Sequence, residues 1–145
     1  MNIGEVSRMV NMPVSTIRYY DNEGLFTSLK KDSAGNRVFL KEDLEQLKII
    51  ECLKKSGMQI KEIKQFMTWV AEGSQTIPQR KEMFLHRKEF VKNKMRELEK
   101  TLSILEYKYW YYEEAQKLQD EKKVHDIPVS EMPLSVQEGY HAIHG

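Results

Sequence analysis

Residues 1–24 read MNIGEVSRMVNMPVSTIRYYDNEG, and their punctuation is that of two short helices joined by a tight turn. Asn2 can cap the first helix with Glu5 three residues on, and Ile3, Val6 and Val10 recur at helical spacing. Asn11 and Met12 interrupt the period. Pro13 suits the first turn of a second helix, whose inward positions are Val14 and Ile17 and whose other face shows Ser15, Thr16, Arg18 and Tyr19 before Gly24 stops it. A second helix that opens on small hydroxyl residues and carries an arginine is the reading half of a helix-turn-helix.

The grammar changes over Leu29–Leu40. Asp32-Ser33-Ala34-Gly35-Asn36 supplies turn residues and Val38-Phe39 supplies strand formers, which predicts a small β-hairpin, or wing. Helical spacing returns over Asp43–Ser56 with Leu44, Leu47, Ile50 and Leu53, ended by Gly57. A fourth helix carries Ile60, Ile63, Met67 and Val70 on one face and stops at Gly73. The fold class is therefore mainly α, with a winged head over residues 1–73.

Thr76-Ile77-Pro78-Gln79 has the form of a capping box and opens a long helix. No Pro or Gly interrupts Gln79–Gln119, a span of about 60 Å at 1.5 Å per residue. Phe84, Val91, Leu98, Leu105 and Tyr112 repeat every seven positions, and Met95, Leu102 and Tyr109 repeat in the offset of an a/d seam. A lone helix of that length leaves its seam wet, so residues 76–119 read as a dimerisation helix whose simplest partner is its own copy. Residues 120–145 contain two prolines and no sustained period, and read as a flexible or loosely docked acidic tail.

The whole chain has 145 residues with 23 basic and 22 acidic side chains, but the balance hides an asymmetry. Met1–Tyr112 holds 20 Lys/Arg against 15 Asp/Glu, whereas Glu113–Gly145 holds 3 against 7. No apolar run reaches the roughly 20 residues of a membrane span, and MNIGEVSRMV has no export signal, so a cytoplasmic protein is expected. The single Cys52 excludes an intramolecular disulfide, a zinc ribbon and a CxxC redox pair. No paired carboxylates, Ser/His/Asp set or phosphate-cradling glycine loop is present, which argues against an enzyme. Neither a cofactor nor a metal is expected.

A helix-turn-helix with a wing suits DNA, because the second helix fits the major groove and a basic hairpin reaches flanking phosphates. Ser15, Thr16 and Arg18 are the candidate groove residues. Tyr19, Tyr20, Lys30, Arg37 and Lys54 are candidate phosphate binders, with Asn36 at the wing tip. Cys52 has Lys48 four residues before it and Lys55 three after, an arrangement that favours a thiolate, while its place near a helix C-terminus opposes one. It reads either as a reactive thiol or as a small packed hydrophobe. In the cluster Tyr107–Tyr112, Tyr109 and Tyr112 belong to the seam, whereas Trp110 and Tyr111 point off it, towards packing or a ligand pocket. His141 and His144 read as solvated tail residues.

At these residues the chain resembles the MerR family of transcription regulators. Ile3-Gly4-Glu5-Val6, Thr16-Ile17-Arg18-Tyr19-Tyr20-Asp21, Gly24-Leu25, Gly35-Asn36-Arg37-Val38-Phe39 and Ile60-Lys61-Glu62-Ile63 match its pattern in order and spacing, over about Met1–Tyr112. Within the family, Glu51-Cys52-Leu53-Lys54 with Gly57-Met58, Glu72-Gly73 and Thr76 is similar to the single-cysteine, aldehyde-responsive branch. Metal-binding members carry thiols at the long helix and in a loop after it, and this chain has none there. Asn36 stands where many members have Tyr. In a parallel pair of long helices Lys94–Glu99 and Lys108–Glu113 would attract and Arg87–Lys92 would repel, but the resemblance implies an antiparallel pair.

The resemblance further implies a homodimer bound to a pseudo-palindrome in promoter DNA, bending and untwisting it and so controlling access of RNA polymerase. The inducer would be an aldehyde or other electrophile at Cys52. Two alternatives stand beside it: a drug-responsive regulator with an aromatic pocket near Trp110, and a DNA-bending or coiled-coil interaction protein that senses nothing.

Overall fold

The computed structural model describes all 145 residues, which divide into two compact units, Met1–Lys88 and Glu89–Gly145. In the first, α1 (Ile3–Val10) begins with the expected reciprocal cap: Glu5 N–H donates to Asn2 Oδ1 at 2.8 Å, and Asn2 N–H to Glu5 Oε2 at 3.0 Å. It ends at Asn11, which takes the left-handed conformation (φ 53°), and the Ser7 hydroxyl donates to the Met12 carbonyl. Pro13 stands just before α2 (Val14–Asn22), as its N-cap. There it withholds an N–H that the helix start does not need.

The wing is two strands of two residues, β1 (Lys30–Lys31) and β2 (Arg37–Val38), paired antiparallel with Lys30 opposite Val38 and Lys31 opposite Arg37. Asp32 organises the connecting loop by accepting from the backbone N–H groups of Ala34 and Asn36, both at 2.9 Å. Gly35 sits at φ 84°, where a side chain would be strained. Phe39 N–H donates to the Met1 carbonyl at 2.8 Å, so the base of the wing is also pinned to the start of the chain.

Then come α3 (Lys41–Lys55) and α4 (Ile60–Glu72). Val6, Ile17, Leu25, Phe39, Leu47, Ile50, Leu53 and Ile63 are buried in one core, joined by Tyr20, Phe66 and Met67. The buried Asp43 is satisfied because the Leu40 N–H donates to its Oδ2 at 2.8 Å. The core thus holds α2 by its inward face and leaves the outward face to solvent.

Thr76 does not act as expected. Its hydroxyl donates back to the carbonyls of Trp69 and Gly73 at the end of α4 rather than capping the helix that follows. A 3-10 turn over Ser74–Thr76 instead runs directly into α5 (Ile77–Leu118), a single helix of 42 residues. The same carbonyls also accept from backbone and arginine donors, Trp69 from the Gly73 N–H and Gly73 from the Thr76 N–H and Arg80, so the hydroxyl joins the bonds that close the end of α4.

Of the two readings of residues 120–145, flexible or loosely docked, the structure has them docked, and in helices that the sequence period did not predict. They form α6 (Glu121–His125), a 3-10 turn (Val129–Glu131) and α7 (Leu134–His144). Val124, Met132 and Val136 are buried, the last two against Tyr107 with Trp110, Ile127 and Tyr140 around them. Gly139 lets α7 lie on α5: a Cβ there would stand 1.9 Å from the Ser103 carbonyl oxygen. His144 is exposed, and its ring stacks on Tyr140 with centroids 4.1 Å apart. No helix is long and apolar enough to cross a membrane.

Candidate nucleic-acid interface

Helical spacing divides α2 cleanly. Ile17 and Tyr20 are buried, Thr16 is half-buried, and Ser15, Arg18 and Tyr19 are exposed. Arg18 lines a groove of about 540 Å³ whose other walls are Asn2 and Ile3 at the start of α1 and Gly35, Asn36 and Arg37 of the wing. The structure therefore brings Arg18 and Asn36 to one concave surface. Lys30 is exposed on β1, with Lys31 exposed beside it, and Lys54 is exposed in the last turn of α3. Lys31 adds a second exposed cation to that strand.

Two of the expected phosphate binders are engaged elsewhere. Tyr20 is only 4% exposed, and its hydroxyl donates to Glu51 Oε1 at 2.7 Å. Burial, then the Glu51 hydrogen bond, raises its pKa well above the ordinary tyrosine value. The alternating faces of α2 put Tyr20 with Ile17, one turn before it and inside. Arg37 is half-buried, and its Nε donates to Asp21 Oδ2 at 2.6 Å while its terminal nitrogen donates to Asn22 Oδ1 at 3.2 Å. Asp21 was not read from the sequence as part of the site, because its partner lies 16 residues away.

Cys52 is exposed on the single chain, outside the buried core of the head. It stands on the wall of a cleft of about 610 Å³ between the end of α1 and α3, where Met9, Val10, Met12 and Leu47 are apolar and Lys48 and Lys55 are cationic. Glu51, the acceptor of the Tyr20 hydroxyl, lines the same cleft.

The aromatic end of α5 is the core of the second unit. Tyr107 and Tyr111 are buried, Trp110 is half-buried, and the void among them is about 80 Å³, well below the roughly 300–1,000 Å³ of drug-sized sites. The Tyr111 hydroxyl sits 3.1 Å from His125 Nε2 and 3.4 Å from Glu121 Oε1. Of the two readings of Trp110 and Tyr111, the structure shows packing: residues of α6 and α7 fill the space beside them. By contrast, Phe84, Val91, Met95, Leu98, Leu102, Leu105, Tyr109 and Tyr112 are all exposed, Leu98 at 68% and Tyr109 at 71%.

Residues 1–68 match the model of the MerR HTH family regulatory proteins, and residues 44–107 match that of the MerR DNA-binding region. The chain belongs to the MerR family of DNA-binding transcriptional regulators. It is 36% identical over 120 residues to an HTH-type transcriptional regulator of Haemophilus influenzae, covering 83% of this chain and 89% of that one. It is similar, with a TM-score of 0.77 and 34% identity, to the crystal structure of HiNmlR, a MerR family regulator lacking the sensor domain, bound to promoter DNA; the match covers 84% of this chain and 97% of that one. The regulator AdhR of Bacillus subtilis is 31% identical over 81 residues, 56% of this chain and 58% of that one. In this MerR protein, α2 turns Ser15, Arg18 and Tyr19 to solvent, and the wing does the same with Lys30, Lys31 and Asn36.

Proposed function

We propose that this regulator works as a homodimer joined along α5, binds a pseudo-palindromic promoter site through two copies of its winged head, and answers an electrophile at Cys52. The observation that carries the reading is the seam of α5, where Val91, Met95, Leu98, Leu102, Leu105, Tyr109 and Tyr112 stand exposed in register. Large apolar side chains repeated over several heptads are stable in water only against another helix. An antiparallel pair of these helices presents one head at each end.

Ser15, Thr16 and Arg18 then face base edges, while Tyr19, Lys30, Asn36 and Lys54 contact the DNA backbone, as their exposure allows. Bending and untwisting the promoter costs on the order of a few kcal/mol, and an inducer shifts the balance between the relaxed and distorted complexes seen by RNA polymerase. The Cys52 cleft favours the electrophile reading over the aromatic pocket. It is large enough for a small molecule, carries a reachable thiol beside two lysines, and includes Glu51, which is bonded to α2. Footprinting on the DNA upstream of the protein's own gene, with and without an aldehyde or thiol oxidant, is the test. Protection of a two-fold site whose cleavage pattern changes with the electrophile is expected, and a pattern indifferent to every electrophile overturns the sensing role.

A further inference from the structure

The wing has only two residues per strand, and a hairpin so short does not hold its shape in water unaided. Its orientation must come from tethers. At its base, Phe39 is buried and paired with Met1 through the backbone. Nearer the tip, the tether is Arg37, whose two donors meet Asp21 and Asn22 in the last turn of α2. The Arg37 and Asp21 side chains are only 19% and 23% exposed, so the pair is largely withdrawn from solvent. Asp21 is also an odd residue for its place, because a carboxylate in the last turn of a helix faces the negative end of the dipole. A wing arginine on that carboxylate resolves the conflict.

We propose that Asp21 and Arg37 are positioning residues that lock the wing to the recognition helix at the angle DNA requires, and that Arg37 acts through this lock rather than by gripping a phosphate. The proposal rests on the promoter-binding reading above. Its consequence is a difference of sign. Removing Asp21 takes a negative charge from the DNA-facing side and frees a guanidinium, so if Arg37 were a phosphate contact Asp21→Ala would tighten binding and steepen its salt dependence. If the pair is a lock, Asp21→Ala weakens binding although the protein has become more positive.

The experiment is fluorescence anisotropy of the full-length protein on a duplex carrying its footprinted upstream site and on an unrelated duplex, over a range of salt. Asp21→Ala should weaken binding to the specific duplex by about tenfold, leave the unrelated duplex little changed, and keep the wild-type salt slope. Arg37→Lys, which retains the charge but not the two-pronged geometry, should behave the same way and serves if Asp21→Ala does not fold. Equal or tighter specific binding by Asp21→Ala, or wild-type binding by Arg37→Lys, overturns the lock. A drop in slope of about 0.9 for Arg37→Gln, the loss of one phosphate contact, overturns it too. A wild-type protein that protects no upstream DNA would sink the promoter reading and the lock with it, whereas wild-type protection with an unimpaired Asp21→Ala sinks the lock alone.

Discussion

The hydroxyl of Tyr20 in α2 donates to Oε1 of Glu51 in α3 at 2.7 Å, across 31 residues of sequence. It ties the DNA-facing helix to the helix that carries Cys52. Tyr20→Phe keeps the ring in the core and loses only this bond, so it should cost about 1 kcal/mol of stability in urea unfolding at neutral pH. The pH dependence has a definite sign. Burial, then Glu51, holds the phenol's pKa above its ordinary value, so the fold keeps a proton that the unfolded chain releases near pH 10. That contribution is complete below the unfolded pKa and is lost as pH rises beyond it. Between about pH 9 and pH 11, wild-type stability should therefore fall more steeply than that of Tyr20→Phe; parallel curves would mean that the hydroxyl adds nothing.

Arg18 is exposed on α2 and lines the groove shared with the wing. Arg18→Ala removes no core contact, so thermal stability should stay within about 0.5 kcal/mol. Affinity for the upstream site should drop by about 1–3 kcal/mol. Unchanged anisotropy titrations with a folded protein would take Arg18 out of the interface.

Replacing Leu98 and Leu102 by Asp puts four carboxylates into the seam of a dimer. Burying each would cost several kcal/mol of desolvation. Sedimentation should report a monomer, and binding to the two-fold site should collapse, because one half-site is held without the linked second. A variant that remains dimeric would place the subunit contact elsewhere.

The winged head was legible because its signals are local. The Asn2–Glu5 cap, the left-handed Asn11, the Asp32–Asn36 turn and the periods of α3 and α4 each act within a few residues. The ties that set the site were not. Tyr20 to Glu51 and Arg37 to Asp21 join residues 31 and 16 apart, and both Tyr and Arg suit a DNA-facing surface as well as a buried bond. Composition also hid the second unit. The segments after α5 are too short to show a period, and they bury themselves on Tyr107 and Tyr111, aromatics that adjoin the seam in sequence. Thr76 had the right neighbours for a cap, but only the path of the chain out of α4 shows that its hydroxyl points backwards.

Cys52→Ser changes one exposed atom in a cleft. Dimerisation and basal DNA affinity should be unchanged within measurement. With a thiol as the sensor, addition of the sulfur to an aldehyde carbonyl gives a hemithioacetal, the thiol proton passing to the oxygen, and serine forms no comparable adduct at neutral pH. A reporter driven by the upstream promoter should respond to aldehydes with the wild-type protein and not with the variant. A normal response in the serine protein would move sensing away from this cleft.

Gly139 decides whether the C-terminal segment is a docked part of the fold. A methyl group there meets the Ser103 carbonyl oxygen at 1.9 Å, the Ser103 carbonyl carbon at 2.7 Å and the Tyr107 Cβ at 2.8 Å. Two of those atoms are helix backbone, so no rotamer relieves the clash and α7 must lift from α5. Two effects oppose each other in Gly139→Ala. Alanine favours the helical state by about 1 kcal/mol, and overpacking of this kind costs about 1–3 kcal/mol. With two contacts on backbone, the overpacking term should win. Amide exchange in residues 134–144 should accelerate and Trp110 fluorescence should shift towards that of a solvated indole. Binding of the head to DNA at basal level should persist, since the core that supports α2 lies within Met1–Lys88. Exchange as slow as in the wild type would mean that α7 does not rest on Ser103.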